Sequence, residues 1–154
     1  MYYLLDTGVL LGYVRGADYA AYIDRTYHPA DLPNIAVASV VSVAELRSMA
    51  TCRVWGERKM LVLSEVLGRI PALDISHPDI IARFAEIDAY RQGRLPGRPL
   101  PPGTSARSMG DNDIWIAATA SVLRATLLTT DQDFPFLNGV FLPVEYVEPC
   151  QVPR

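Results

Sequence analysis

DNDIWIAATASVLRATLLTTDQDF, residues 111 to 134, is the stretch that decides the fold. From Asp111 to Arg124 it reads as a helix of small and aliphatic residues. Ala125 to Thr130 then reads as a short buried strand, closed by a turn at DQDFP. A helix feeding directly into a buried strand is half of a crossover unit, and the rest of the chain repeats the arrangement.

Tyr2 to Leu5 is an aromatic-aliphatic run with the character of a buried strand. Helical patterns follow over Thr7 to Tyr13 and Ala17 to Tyr27, where Pro29 and Pro33 break the periodicity. Ile35 to Val41 is β-branched and apolar and reads as a second strand, and Ser42 to Ala50 as a helix. Glu57 to Ile70 places Leu63, Val66, Leu67 and Ile70 on one helical face. Pro71 ends it, Ala72 to Ile75 is a third candidate strand, and Pro78 to Arg91 is helical again. Val144 to Val147 reads as an edge strand between Pro143 and Pro149. Strands alternating with helices predict an α/β fold with a mainly parallel central sheet covered on both faces. Gly93 to Gly110 is rich in Pro, Gly and Arg without apolar periodicity, so a long functional loop is expected there.

Four acids border these apolar runs: Asp6 after YYLL, Glu45 in VVSVAEL, Asp113 before IWIAATA and Asp131 after ATLLTT. Carboxylates are rarely buried unless they are paired or metal-bound, because dehydrating the charge is costly. In an open parallel sheet the ligand crevice lies at the carboxyl ends of the strands. Asp6 and Asp131 end strands, while Glu45 and Asp113 fall in first helical turns, so all four can point into that crevice. Each also has a plainer explanation. Ser42-Val-Ala-Glu45 matches a capping box, Asp113 suits a helix dipole, and Asp131 suits a turn. Asp6 has none as simple, and the four together favour a cation site. Spacing alone leaves Asp111 and Asp133 as competitors.

The 154 residues suit one domain over residues 1–154, half hydrophobic and 20% charged. The N-terminus does not read as a secretory signal, and no apolar run nears the ~18 residues of a membrane span. Cys52 and Cys150 match no metal spacing and read as reduced thiols of a cytoplasmic protein, with Cys52 packed. The net charge is −3, yet setting four of the 17 acids aside leaves 13 against 14 basic residues, so charge does not choose the partner. His28 and His77 precede prolines and read as loop residues, poor candidates for metal-free acid–base catalysis. Trp55 and Trp115 sit in helical segments and read as core.

LLDTGVL, SVAEL, NDIWIAATA and LLTTDQDF, in that order, resemble the PIN domain, and more closely the VapC-type toxins of bacterial toxin–antitoxin pairs. The resemblance runs from Tyr2 to Phe134 and implies a three-layer α/β/α sandwich. It selects Asp6, Glu45, Asp113 and Asp131 as catalytic residues holding Mg²⁺ or Mn²⁺. It further implies an endoribonuclease toxin acting on RNA, tRNA and rRNA among the candidates, a homodimer, and inhibition by a cognate antitoxin. Arg94, Arg98 and Arg107 are candidate phosphate contacts from the loop. Gly8 stands where many relatives carry Asn or Ser, a change expected to loosen the first turn, while Thr7 could orient Asp6. The rivals are an aspartic protease from Asp6-Thr7-Gly8, which requires an all-β chain; a phosphatase with Asp6 as nucleophile, which lacks the usual second acid at Gly8; and a non-catalytic PIN-like RNA-binding module.

Overall fold

The computed structural model describes residues 1–151. Its elements run β1 (Tyr2–Leu5), α1 (Thr7–Arg15), α2 (Asp18–Tyr27), β2 (Ile35–Ser39), α3 (Val40–Cys52), α4 (Glu57–Arg69), β3 (Ala72–Leu73), α5 (Pro78–Arg91), α6 (Asp111–Leu123), β4 (Thr126–Thr129) and β5 (Val144–Tyr146), with a 3-10 turn at Pro135–Leu137. The five strands form one sheet in the order β3-β2-β1-β4-β5, and every pairing is parallel. This is the α/β sheet expected from the sequence, and it excludes the all-β protease.

Alternation along the strands sorts the side chains into two cores. Leu4, Val37, Leu127 and Val144 face α5 and α6, where they meet Ile87, Ile114 and Ala117. Tyr3, Leu5, Ala36, Ala38 and Leu128 face the opposite way, toward Val9 and Leu10 of α1, Ile23 of α2, Leu46 of α3 and Leu63 of α4. The result is three layers, with α1 to α4 on one face and α5 and α6 on the other. Strands buried on both sides need continuous apolar runs, which is why YYLL and TLL carry no polar alternation.

The first crossover from β1 runs to β2 on one side, whereas β4 joins β1 on the other. The chain therefore changes direction between β1 and β4, and a crevice opens there at the carboxyl edge of the sheet. The Asp6 N–H donates to Leu128 O at 3.0 Å, which carries the β1–β4 pairing up to the first acid.

Two local expectations give way. The strand expected to end at Val41 ends at Ser39, and Ser39, not Ser42, caps α3 by accepting from the Val41 N–H at 3.2 Å. Val40 and Val41 are β-branched, yet tertiary packing carries them into the helix. Cys52 is exposed, as is Cys150, because α3 ends in solvent beyond its last buried residue, Ala50. His77 acts as the cap of α5, its Nδ1 accepting from the Asp79 N–H. Trp115 stacks on Phe84 at 4.2 Å between ring centres and packs against the core as expected. No helix among the described residues is long and apolar enough to cross a membrane.

Candidate active site

Asp6 directly follows the last residue of β1 and is the N-cap of α1. It is only 4% exposed. One carboxylate oxygen accepts from the Thr7 N–H at 2.6 Å and the other from the Thr129 hydroxyl at 2.8 Å. Thr129 closes β4, is fully buried, and also accepts from the Asp131 N–H at 2.9 Å. One hydroxyl thus ties the first of the four acids to the last. The sequence reading gave the orienting role to Thr7, but the Thr7 hydroxyl donates to Glu45 instead. The repeated Thr in LLTTD was the available signal for Thr129: a hydroxyl at a strand end, beside an acid, in an otherwise apolar run.

Asp113 is the third residue of α6, three positions after its cap at Gly110. Here, rather than at Ser42-Glu45, an acid reaches back toward a cap N–H, that of Gly110. A Cβ at position 110 would stand 3.2 Å from the Asp113 carboxylate, so glycine leaves it room.

Glu45 belongs to the second turn of α3 and caps nothing. Its two oxygens accept from the Thr7 hydroxyl of α1 and, at 2.9 Å, from the Asn112 amide of α6. Asp131 accepts from the Asp133 N–H at 2.8 Å, the turn expected of TTDQD. Asp133 thereby supports Asp131, and Asp111 exposes its side chain at the start of α6.

Asp6, Glu45, Asp113 and Asp131 line one pocket of about 660 Å³, with Thr130, Gln132, Tyr146 and Glu148 on its rim. Among the described residues, the lining contains no Lys, Arg or His. Burial, above all, raises the Asp6 pKa from 3.8 to about 7, and the charges of Asp113 and Asp131 push the same way against the hydrogen bonds of Thr129 and Thr7. Burial likewise raises Asp113 to about 6, helped by Asp131, Glu45 and Asp133. Hard oxygen donors, raised pKa values and no competing cation are the chemistry that a divalent ion satisfies. Among the described residues, however, no three His, Cys, Asp or Glu side chains close into a finished cage. The oxygens of Asp6 and Glu45 are already turned to protein donors.

Gly8 is not slack. Tyr19 donates to its carbonyl at 3.0 Å, and a side chain there would run into the Thr130 hydroxyl. The loop arginines are not gathered at the pocket. Arg98 donates to Val140 O at 3.0 Å and lies over the Phe141 ring. Phe141 O in turn accepts from Ser121, near the end of α6 remote from Asp113. Arg107 lies over Phe136, and Arg94 is exposed.

Several solved structures share this fold. VapBC2 from Rickettsia felis, bound to a DNA fragment from their promoter, matches with a TM-score of 0.71 at 21% identity, over 95% of this chain and 98% of that chain. VapBC-1 from nontypeable Haemophilus influenzae gives 0.70 at 21% identity over the same shares. VapBC-5 from Mycobacterium tuberculosis, a member of the VapBC family of toxin–antitoxin systems, gives 0.63 at 23% over the same shares. No curated protein matches by sequence. The PIN domain model matches residues 3–138, a span that takes in all four acids and the sheet edge holding them, and the chain belongs to the PIN domain family.

Proposed function

We propose that this protein is a Mg²⁺- or Mn²⁺-dependent endoribonuclease, a VapC-type toxin held in check by a cognate antitoxin. The observation that carries the reading is the convergence of Asp6, Glu45, Asp113 and Asp131 on one pocket with no cationic side chain among the described residues of its lining. The likeness in fold to VapBC proteins supports the toxin assignment and the antitoxin partner. The resemblance of its motifs to VapC-type toxins extends the proposal to a cytoplasmic homodimer, with one nuclease domain per chain and RNA, such as tRNA or rRNA, as substrate.

Asp6, Asp113 and Asp131 would hold the ion, and Glu45 would complete the set through water. Once bound, a divalent ion polarises the phosphodiester and acidifies water for in-line attack. Thr129 keeps the Asp6 carboxylate aimed at the pocket, and burial beneath the strand ends keeps bulk water from Asp6. Attack on the scissile phosphorus would leave a 5′-phosphate and a 3′-hydroxyl. Arg94 and Arg107 would steady RNA phosphates from the loop. Arg98, at the far end of α6, would reach only a longer substrate. An antitoxin segment would cross apolar surface and close the crevice, an arginine against the acids serving as the cation.

The phosphatase reading fits less well: both Asp6 oxygens are engaged and the side chain is buried, which disfavours it as a nucleophile. The engaged oxygens of Glu45 favour the second reading, a non-catalytic RNA-binding module. RNA cleavage with and without Mn²⁺, comparing wild type with Asp6→Ala and Asp113→Ala, decides between them. The proposal expects metal-dependent cleavage lost in both variants. Metal-independent cleavage, or full activity in both variants, overturns the mechanism. Binding without any cleavage supports the module.

A further inference from the structure

Beside the acid pocket lies a second hollow of about 520 Å³, lined by Val41, Ala44, Glu45, Ser48, Met49 and Asn112. Glu45 and Met49 line both, so the two form one groove divided by the Glu45 side chain. Positions 41, 44, 45 and 48 share one face of α3 by helical spacing. Among the described residues the hollow has no Lys or Arg, so it offers no countercharge to a phosphate. Its walls are aliphatic and thioether, with one hydroxyl and one amide beside the Glu45 carboxylate. Asn112 uses its amide nitrogen on Glu45 Oε1, and its carbonyl oxygen makes no hydrogen bond among the described residues.

A flat ring with polar edges fits that mixture. The Met49 sulfur and the Val41 and Ala44 surfaces suit its faces, and amide and hydroxyl groups suit its edge. A polynucleotide with a phosphate over Asp6, Asp113 and Asp131 must also place an adjacent nucleoside along the groove, and Glu45 is the divider it crosses.

We propose that this hollow is a nucleobase subsite, which takes the base next to the scissile phosphate between Met49 and the Val41–Ala44 face, with Ser48 and Asn112 at its polar edge. The proposal rests on the nuclease reading and adds to it a source of sequence preference.

The test uses the full chain with Mn²⁺ and short RNAs spanning a mapped cleavage site. In each RNA the base on one side of the cut is replaced by an abasic ribose. Wild type should lose about tenfold in kcat/KM when one of the two bases is missing, the scale of one stacked base. Ala44→Phe, which fills the hollow, should cut intact RNA at that lowered rate and ignore the removal. Ser48→Phe should do the same from the other end of the face. Wild type that cuts but is indifferent to both removals overturns the subsite alone. Retained discrimination in both variants also overturns it. If Ala44→Phe retains discrimination but loses a dimer by light scattering, the hollow belongs to a second copy and the subsite falls. If wild type cuts no RNA at all, the nuclease reading fails and the subsite with it.

Discussion

The floor and the wall of the pocket hold their carboxylates in opposite ways. On the floor, Asp6 sits under the ends of β1 and β4, 4% exposed, fixed by a buried threonine and a backbone N–H. On the wall, Glu45 rides on the second turn of α3, half-buried, held by side chains from α1 and α6. Desolvation dominates the floor and raises Asp6 to about 7. The wall's acid has two neutral donors and lies nearer solvent. A charge that is both buried and crowded needs a proton or a cation, whereas a partly exposed one can change partners. The floor is therefore the part of the site committed to a cation, and the wall the part free to adjust to metal and substrate.

The largest effects therefore belong to the floor and its near neighbour. Asp6→Asn and Asp113→Asn should each lower RNA cleavage by about a thousandfold or more, because each removes a ligand to the ion that drives the step. Single-turnover cleavage at saturating Mn²⁺ measures this, and a loss below tenfold in either would undo the floor's priority. Next comes Thr129→Val, which leaves Asp6 in place but frees its carboxylate. A cost of about 10- to 100-fold in activity or Mn²⁺ affinity is expected, as for other groups that orient a metal ligand. The wall should respond less. Asn112→Ala frees one Glu45 oxygen and should change cleavage by about fivefold or less, since an exposed hydrogen bond contributes only about 1 kcal/mol. A wall variant more damaging than Thr129→Val would reverse the comparison.

Much of this division was visible in the sequence. Asp6 is the acid with no simple cap reading in the sequence; the fold both buries it and makes it the N-cap of α1. The strands were legible because YYLL and ATLLTT carry no charge and no polar–apolar alternation, as a sheet covered on both sides requires. SVAE carries the letters of a capping box, yet Ser39 caps α3 and Glu45 caps nothing. Which serine caps depends on where β2 lets go of the sheet, and that is set by tertiary packing around Val40 and Val41. Thr129 and Asn112 were missed for a related reason. Their importance lies in contacts across 123 and 67 positions of chain, which no local pattern encodes. Arg98 stood out as a loop cation, but nothing local revealed that the loop would fold it onto Val140 and Phe141.

The floor's charge also sets a pH dependence for the metal-free protein. Asp6 titrates near 7 when folded and near 3.8 when unfolded, so the folded state binds more protons between those values. Stability is therefore greatest below about pH 4 as far as this group is concerned, and is lost as pH rises toward 7, by a few kcal/mol at most. Urea unfolding of metal-free protein should show lower stability at pH 8 than at pH 5.5, and Asp6→Asn should flatten the difference.

The central claim is that the buried floor acid is held for a cation. The most direct test is the melting temperature of metal-free protein at pH 8, with and without Mn²⁺, for wild type and Asp6→Asn. The account predicts that Asp6→Asn melts higher than wild type without metal, and that Mn²⁺ raises the melting temperature of wild type but not of the variant. Equal shifts in both proteins, or no shift in wild type, would contradict it.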